Sequence, residues 1–232
     1  MPYFFADYYY LILVLPAVIL AFAAQVSVQS TFKKYSRIPT RSGMTGRDAC
    51  LAIQQANGLH VPVESTAGSM TDHYDPRGNV IRLSETVGPA SSVAAVGVAA
   101  HETGHAIQYA VGYGPVRLRM GILPVTQFAS TLSPYLVIAG LLFNFQILAV
   151  IGVVFFGAAV LFQLITLPVE FNASARAMKA LEAQGILTQE ELSGARKVLT
   201  AAAMTYVAAL FVSLMSLLRL MILVFGRGRR DR

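Results

Sequence analysis

The stretch that decides the fold is Met120–Val169, MGILPVTQFASTLSPYLVIAGLLFNFQILAVIGVVFFGAAVLFQLITLPV, which has no charged side chain across 50 positions. A helix rises about 1.5 Å per residue and bilayer hydrocarbon is about 30 Å thick, so about 20 apolar residues cross it. The run is too long for one crossing and right for two. Asn144 and Gln146, near its middle, mark a tight turn between Met120–Phe143 and Ile147–Val169. Pro124, Pro134 and Pro168 can kink these helices, because neighbouring protein re-satisfies the freed backbone groups.

Outward from that run, Tyr8–Val28 is 21 residues without a charge, preceded by Asp7 and by no Lys or Arg. A cleaved leader starts with a basic segment, so this stretch reads as an uncleaved anchor helix with Tyr8, Tyr9 and Tyr10 as interfacial aromatics. Val198–Phe225 is interrupted only by Arg219 and reads as a fourth span, with Arg219 snorkelling toward head groups, or as an interfacial or a tilted helix. The composition agrees. Of 232 residues, 55% are hydrophobic and 13% charged, against about 25% charged in soluble domains, which excludes a water-soluble globule and a disordered chain. The net charge of +6 is clustered at Lys33, Lys34, Arg37, Arg41 and Arg47 and at Arg227, Arg229, Arg230 and Arg232. Basic clusters beside apolar runs are a membrane signature. No basic face with interleaved aromatics suggests nucleic acid. Cys50 is the single cysteine and cannot form an internal disulfide; it reads as a small buried apolar residue.

Two stretches are polar enough for water, Ser30–Tyr113 and Asn172–Lys197. In the first, Thr45–Asn57 reads as a capped helix ended by Gly58. Val61–Ser65, Thr71–Tyr74 and Val80–Ser84 read as strands of a small antiparallel sheet, separated by turn-forming Ala67-Gly68-Ser69 and Asp75-Pro76-Arg77-Gly78-Asn79. Pro89–Tyr109 reads as a helix apolar nearly all round, hence buried. The expectation is a mainly α membrane protein with about three to four transmembrane helices and a small α+β domain. Its parts are an anchor at 1–29, an α+β domain at 30–119, a hairpin at 120–169, a returning helix at 170–197, and a last span with its tail at 198–232.

The buried helix carries His101-Glu102-Thr103-Gly104-His105. Residues four apart share a helix face, so the two imidazoles can converge on one ion, and Glu102, turned by about 100°, falls beside the open coordination position as a general base. Five-residue matches of this kind arise by chance. Here, though, both histidines and Glu102 interrupt an Ala/Val helix, where burying three such groups without partners is costly. Gly104 is expected to leave space beside the metal. One zinc ion needs a third protein donor, and Glu170, Asp72, His73, Asp75, Glu85 and His60 are all available. Glu170 is favoured because it ends the uncharged run, where an unused carboxylate is expensive, and because it opens a helix (Val169–Gln184) whose dipole suits it. The hairpin would return Glu170 to the side of His101 and His105.

These residues carry a family resemblance. Val169-Glu170-Phe171-Asn172-Ala173-Ser174 after a distant HExxH is similar to the glutamate-ligand zinc proteases (gluzincins) built into membranes, such as HtpX-type proteases and CAAX prenyl endopeptidases. A closer resemblance is to the YugP-type bacterial membrane zinc metallopeptidases. It rests on Thr71-Asp72-His73-Tyr74-Asp75-Pro76-Arg77, Leu83-Ser84, and Gly97-Val98-Ala99-Ala100 running into His101–His105 and Gln108. It implies a gluzincin-like domain in a multi-pass protein of a bacterial inner membrane. It also implies zinc ligands His101, His105 and Glu170, and Glu102 as base. HtpX-like chains carry Asp where this one has Ser174. The task of orienting an imidazole then falls to Ser174 or Asn172, or is met from elsewhere by Asp72 or Asp75. The resemblance also implies that Val80, Ile81, Arg82 and Leu83 form an edge strand that pairs with an extended substrate, with plain sheet-core packing as the alternative for their side chains.

For the oxyanion, His73, Tyr74, Arg176 and Arg117 are candidate donors; the bland readings are a turn at Asp72–Asp75 and head-group contacts for the arginines. The leading expectation is a zinc endopeptidase cutting protein or peptide substrates close to the bilayer, with membrane lipids as its other partners. Its rivals are a zinc amidohydrolase acting on a lipid-linked amide and a non-catalytic zinc-stabilised scaffold or chaperone. The basic Lys33–Arg47 segment favours a cytoplasmic zinc site, whereas four spans would put the basic tail outside, against the same rule. Oligomeric state is not readable from the chain.

Overall fold

The structure, a computed structural model, describes residues 8–227; the N-terminal lead with Asp7 and the tail arginines Arg229, Arg230 and Arg232 lie outside the described residues. A π-turn, Tyr10–Val14, leads into helix α1 (Leu15–Tyr35). Pro16 accounts for it. Proline has no N–H and its ring collides with the carbonyl four residues back, that of Ile12, and widening the helix by one residue relieves the clash. There follow α2 (Gly46–Ala56), β1 (Val63–Thr66), β2 (His73–Asp75), β3 (Val80–Ser84), α3 (Val93–Ala110), α4 (Gly114–Leu142), α5 (Gln146–Ala183) and α6 (Gln189–Arg227).

Among the described residues, four helices are long and apolar enough to cross a membrane: Tyr10–Tyr35, Gly114–Leu142, Gln146–Ala183 and Gln189–Gly226. The turn between α4 and α5 holds Asn144 at φ +53°, a left-handed conformation that Asn tolerates. The helices outrun their apolar stretches. In particular, Ile147–Val169 and Val169–Gln184 are one helix, α5, so Glu170 lies in its interior and not in a first turn. No dipole at a helix start favours its carboxylate. Pro168 merely removes one backbone bond, to Leu164, without ending the helix.

The chain divides into two compact units. The first comprises Met1–Ala24, Arg117–Leu167 and Thr205–Arg232. Here small residues let helices meet backbone to backbone: a Cβ on Gly140 would collide with the Ala149 nitrogen, and one on Gly152 would stand 2.8 Å from that of Val137. Ser133 Oγ donates to the Gly152 carbonyl at 2.8 Å. Such contacts hold helices together where lipid removes the hydrophobic drive between them. Only 22% of the most apolar window of α5 is buried, and Phe128, Tyr135, Phe143 and Val154 face outward, leaving an apolar surface for acyl chains. Arg219 does not reach outward: it is 8% exposed, with its guanidinium 5.4 Å above the Tyr10 ring.

The second unit comprises Gln25–Val116 and Pro168–Met204. Its α2 begins with a capping box, in which Thr45 Oγ1 accepts from the Asp48 amide and the Asp48 carboxylate accepts from the Thr45 amide. Ser92 caps α3, whose first residue is therefore Val93 and not Pro89. Helix α3 is the shared wall of two cores. Val93, Val96, Ala100 and Ile107 pack with Leu181, Leu192, Val198 and Leu199, while Ala95, Ala99 and Ala106 pack with Ile81, Leu83, Val63 and Cys50. That is why it is apolar all round.

The sheet is mixed, in the order β1-β3-β2, with β1 parallel and β2 antiparallel to β3. The expected all-antiparallel arrangement fails at β1. The tight turn after Asp75 makes β2 and β3 a hairpin. Strand β3, buried at Val80, Ile81, Leu83 and Ser84, takes the centre, so β1 is left with the far side of β3. Val80–Leu83 is therefore not an edge: both its sides are already paired, and a substrate strand cannot add there.

Candidate metal centre

His101 and His105 stand one turn apart on α3, with ring centroids 4.7 Å apart and planes at 84°. Opposite them, α5 presents Glu170, whose Oε2 lies 3.4 Å from His101 Nε2 and 3.5 Å from His105 Nε2. All three groups are nearly buried, and their donor atoms lie within 4.8 Å of one another.

The approach of α3 to α5 depends on Gly104. A Cβ there would stand 2.5 Å from the Ala173 carbonyl oxygen and 3.1 Å from its carbon. The glycine makes room for the α5 backbone, not for a metal as expected from the motif alone.

The tautomer of His105 follows from its neighbours. Gln108 Nε2 donates to the Val169 carbonyl at 2.7 Å and to Asn172 Oδ1 at 3.0 Å, so the Gln108 amide oxygen must face His105 Nδ1, 3.0 Å away. Nδ1 then carries a proton and donates to it, and in the neutral ring Nε2 presents a lone pair to Glu170. Ser174 Oγ lies 3.1 Å from His101 Nδ1 and can hold that ring in the same way. Lone pairs converging on a carboxylate oxygen repel unless a cation lies among them. Without a metal, a proton fills that role. Burial works against a charged His105, but its hydrogen bond to Glu170 and the nearby Glu102 and Glu170 charges outweigh it, and its pKa is raised. A tetrahedral zinc with bonds of about 2.05 Å sets its ligand atoms about 3.3 Å apart, close to both measured separations. Two imidazoles and one carboxylate form a donor set that suits zinc.

Glu102 is 8% exposed and its Oε2 accepts from the Tyr74 backbone N–H of β2 at 2.9 Å. It is Tyr74's amide, then, and not its ring, that meets the site: the hydroxyl donates to Asn79 Oδ1 at 2.8 Å and the ring rests 5.2 Å from that of Tyr109.

A model of the family described as "Putative neutral zinc metallopeptidase" matches residues 10–225. The chain belongs to this family. It is 48% identical over 223 residues to the "Putative membrane protease YugP" of Bacillus subtilis (strain 168), covering 96% of this chain and 99% of that protein. No solved structure matches it. The family's description names zinc, in agreement with the donor set, and the chain is a membrane protein of the zinc-metallopeptidase type.

Several other residues named from the sequence lie elsewhere. Alternate strand residues face opposite ways. Tyr74 faces α3, so His73 lies on the other face with Arg82, exposed, its Nδ1 bonded to the Thr71 carbonyl at 2.8 Å. It is not placed to donate to an oxyanion. Asp72 is engaged by the Ser84 amide at 2.6 Å and hydroxyl at 3.0 Å, clamping the end of β3 and orienting neither imidazole. Asn172 touches no ligand ring; it takes Gln108 Nε2 and Arg176 Nε, the latter at 2.8 Å. Arg176 also lies 5.9 Å over the Tyr113 ring. Asp75 holds Arg82 and the Arg77 amide, and neither it, His60 nor Glu85 joins the donor cluster. Gln108 entered the sequence reading only through the resemblance. Its signal was present as a buried amide one turn beyond the second histidine.

Proposed function

We propose that His101, His105 and Glu170 hold one zinc ion and that Glu102 is the general base of peptide-bond hydrolysis at the membrane. The observation that carries this reading is the pair of Glu170 Oε2 separations, 3.4 and 3.5 Å, which suit a shared ion. Zinc bound there supplies a Lewis acid that acidifies water and polarises a carbonyl. The protein's own groups do the rest. Gln108 and Ser174 fix the imidazoles with Nδ1–H outward and Nε2 inward. The Tyr74 amide holds Glu102 Oε2, leaving Oε1 to take a proton from the attacking water and pass it to the leaving amine. Strand β2, not β3, has the unpaired edge beside Glu102, and an extended substrate can lie along it. The site is best placed in a bacterial inner membrane, facing the cytoplasm by the basic Lys33–Arg47 segment.

Glu102→Gln tests the reading. The variant keeps its zinc and loses cleavage of an unfolded membrane-protein substrate by a factor of at least about 100. Retained cleavage would remove Glu102 from the chemistry. A variant that loses its zinc would show that Glu102 is a ligand instead.

A further inference from the structure

The second unit has a cleft of about 410 Å³ between the C-terminal part of α5 and the N-terminal part of α6. Phe171, Met178 and Leu199 line it with apolar surface, and Lys179, Arg196 and Glu182 with charge. Met178 and Leu199 lie within a turn of the cations, and Phe171 lies further along. Phe171 follows the uncharged run of α5 by two residues and is 47% exposed, whereas Lys179 lies eight residues further, about 12 Å along the helix. On α6, which returns antiparallel after a short turn, Arg196 precedes Leu199 and the apolar stretch follows. Both helices thus run from cations at one end of the cleft to apolar surface at the end where their membrane spans continue. Lys179 and Arg196 are exposed, and among the described residues neither has an ion-pair partner. The one carboxylate, Glu182, accepts from Gln189 at 3.5 Å and offsets only one of the two.

We infer that this cleft seats an anionic phospholipid, its phosphate between Lys179 and Arg196 and an acyl chain along Phe171, Met178 and Leu199. The excess positive charge selects an anion. A lipid is favoured over an acidic peptide because the apolar end opens where acyl chains begin, and a phosphate with the start of an acyl chain spans the distance between the cations and Phe171.

The chain has no tryptophan, so Phe171→Trp gives the full-length protein a single reporter inside the cleft. In phosphatidylcholine nanodiscs, phosphatidylglycerol with brominated acyl chains should quench it at a lower mole fraction than brominated phosphatidylcholine. Each cation near an anionic head group contributes about 5-fold, and with Glu182 offsetting one of the two the preference is roughly 5-fold. Lys179→Gln with Arg196→Gln on that background abolishes the preference, while Lys33→Gln with Lys34→Gln leaves it intact. Ala175→Phe, filling the cleft wall, weakens quenching by both lipids. Thermal unfolding in detergent serves as the folding control, and no step needs zinc or catalysis, so this proposal and the peptidase reading fail separately. Equal quenching by the two lipids overturns it. So does a loss of preference in the Lys33/Lys34 variant as large as in the cleft variant, which would mean a diffuse surface potential. Relief of quenching by an acidic peptide would make the cleft a peptide seat instead.

Discussion

Gly104→Ala separates packing from propensity by the sign of its effect. In an exposed helix interior, alanine is more favourable than glycine by about 1 kcal/mol. At this position the new Cβ would meet the Ala173 carbonyl oxygen at 2.5 Å and its carbon at 3.1 Å. Reaching even a tight contact of about 3.0 Å requires α3 and α5 to part by about 0.5 Å, and an ordinary one by nearly twice that. Backbone stands on both sides, so no side chain can rotate away. Overpacking of this kind costs about 1–3 kcal/mol, which outweighs the gain in propensity. The displacement falls between the two histidines on one helix and three residues from Glu170 on the other. Metal–ligand distances tolerate only about 0.2 Å, so zinc affinity should fall at least 10-fold and the melting temperature of the metal-loaded protein should drop. Competition with a zinc chelator, alongside thermal unfolding in detergent, measures both. If the variant bound zinc as tightly as the parent and melted higher, the close approach at Gly104 would not be setting the donor geometry.

Ser174→Ala and Gln108→Ala each remove a group that holds a ligand imidazole and should weaken zinc binding 10- to 100-fold. Gln108→Ala should be the worse of the two, because it also removes the hydrogen bonds that tie α3 to the Val169 carbonyl and to Asn172 of α5; a chelator titration ranks them. Metal-free and zinc-loaded protein should respond to pH in opposite directions. In the metal-free chain the raised His105 pKa gives a stabilisation that is full below the unfolded value of about 6.5 and fades as pH rises through the folded value. In the loaded chain, protons compete with zinc for the imidazoles, so stability falls as pH falls. Melting curves between pH 5.5 and 8.5, with and without chelator, check the crossing.

Much of this fold is legible because lipid and metal are both demanding solvents for side chains. A run such as Met120–Val169 has no other stable home, and His101, Glu102, His105 and Glu170 are conspicuous because they interrupt apolar helices. What is not legible depends on backbone. Nothing in Val80-Ile81-Arg82-Leu83 says that both its edges are paired, since β3 is central only once β1 has joined it in parallel. The Tyr74 amide meets Glu102 through an atom that every residue but proline has. Gly104 acts through an absent Cβ whose neighbour, Ala173, is far away in sequence. His73 stands out as an imidazole in the polar cluster Asp72–Asp75, and the period of two along β2 turns it away. Glu170 stands out by its position at the end of the apolar run, and inside α5 it owes nothing to a helix dipole.

The most direct test of the metal centre is the zinc-edge X-ray absorption fine structure of the purified, chelator-free protein. The expected result is one zinc per chain with two imidazole nitrogens at about 2.0–2.1 Å, oxygen at about 2.0–2.2 Å and no sulfur; Glu170→Ala should remove the metal or one oxygen neighbour. A sulfur shell at about 2.3 Å, or stoichiometric zinc with the same neighbours in the Glu170→Ala protein, would contradict it.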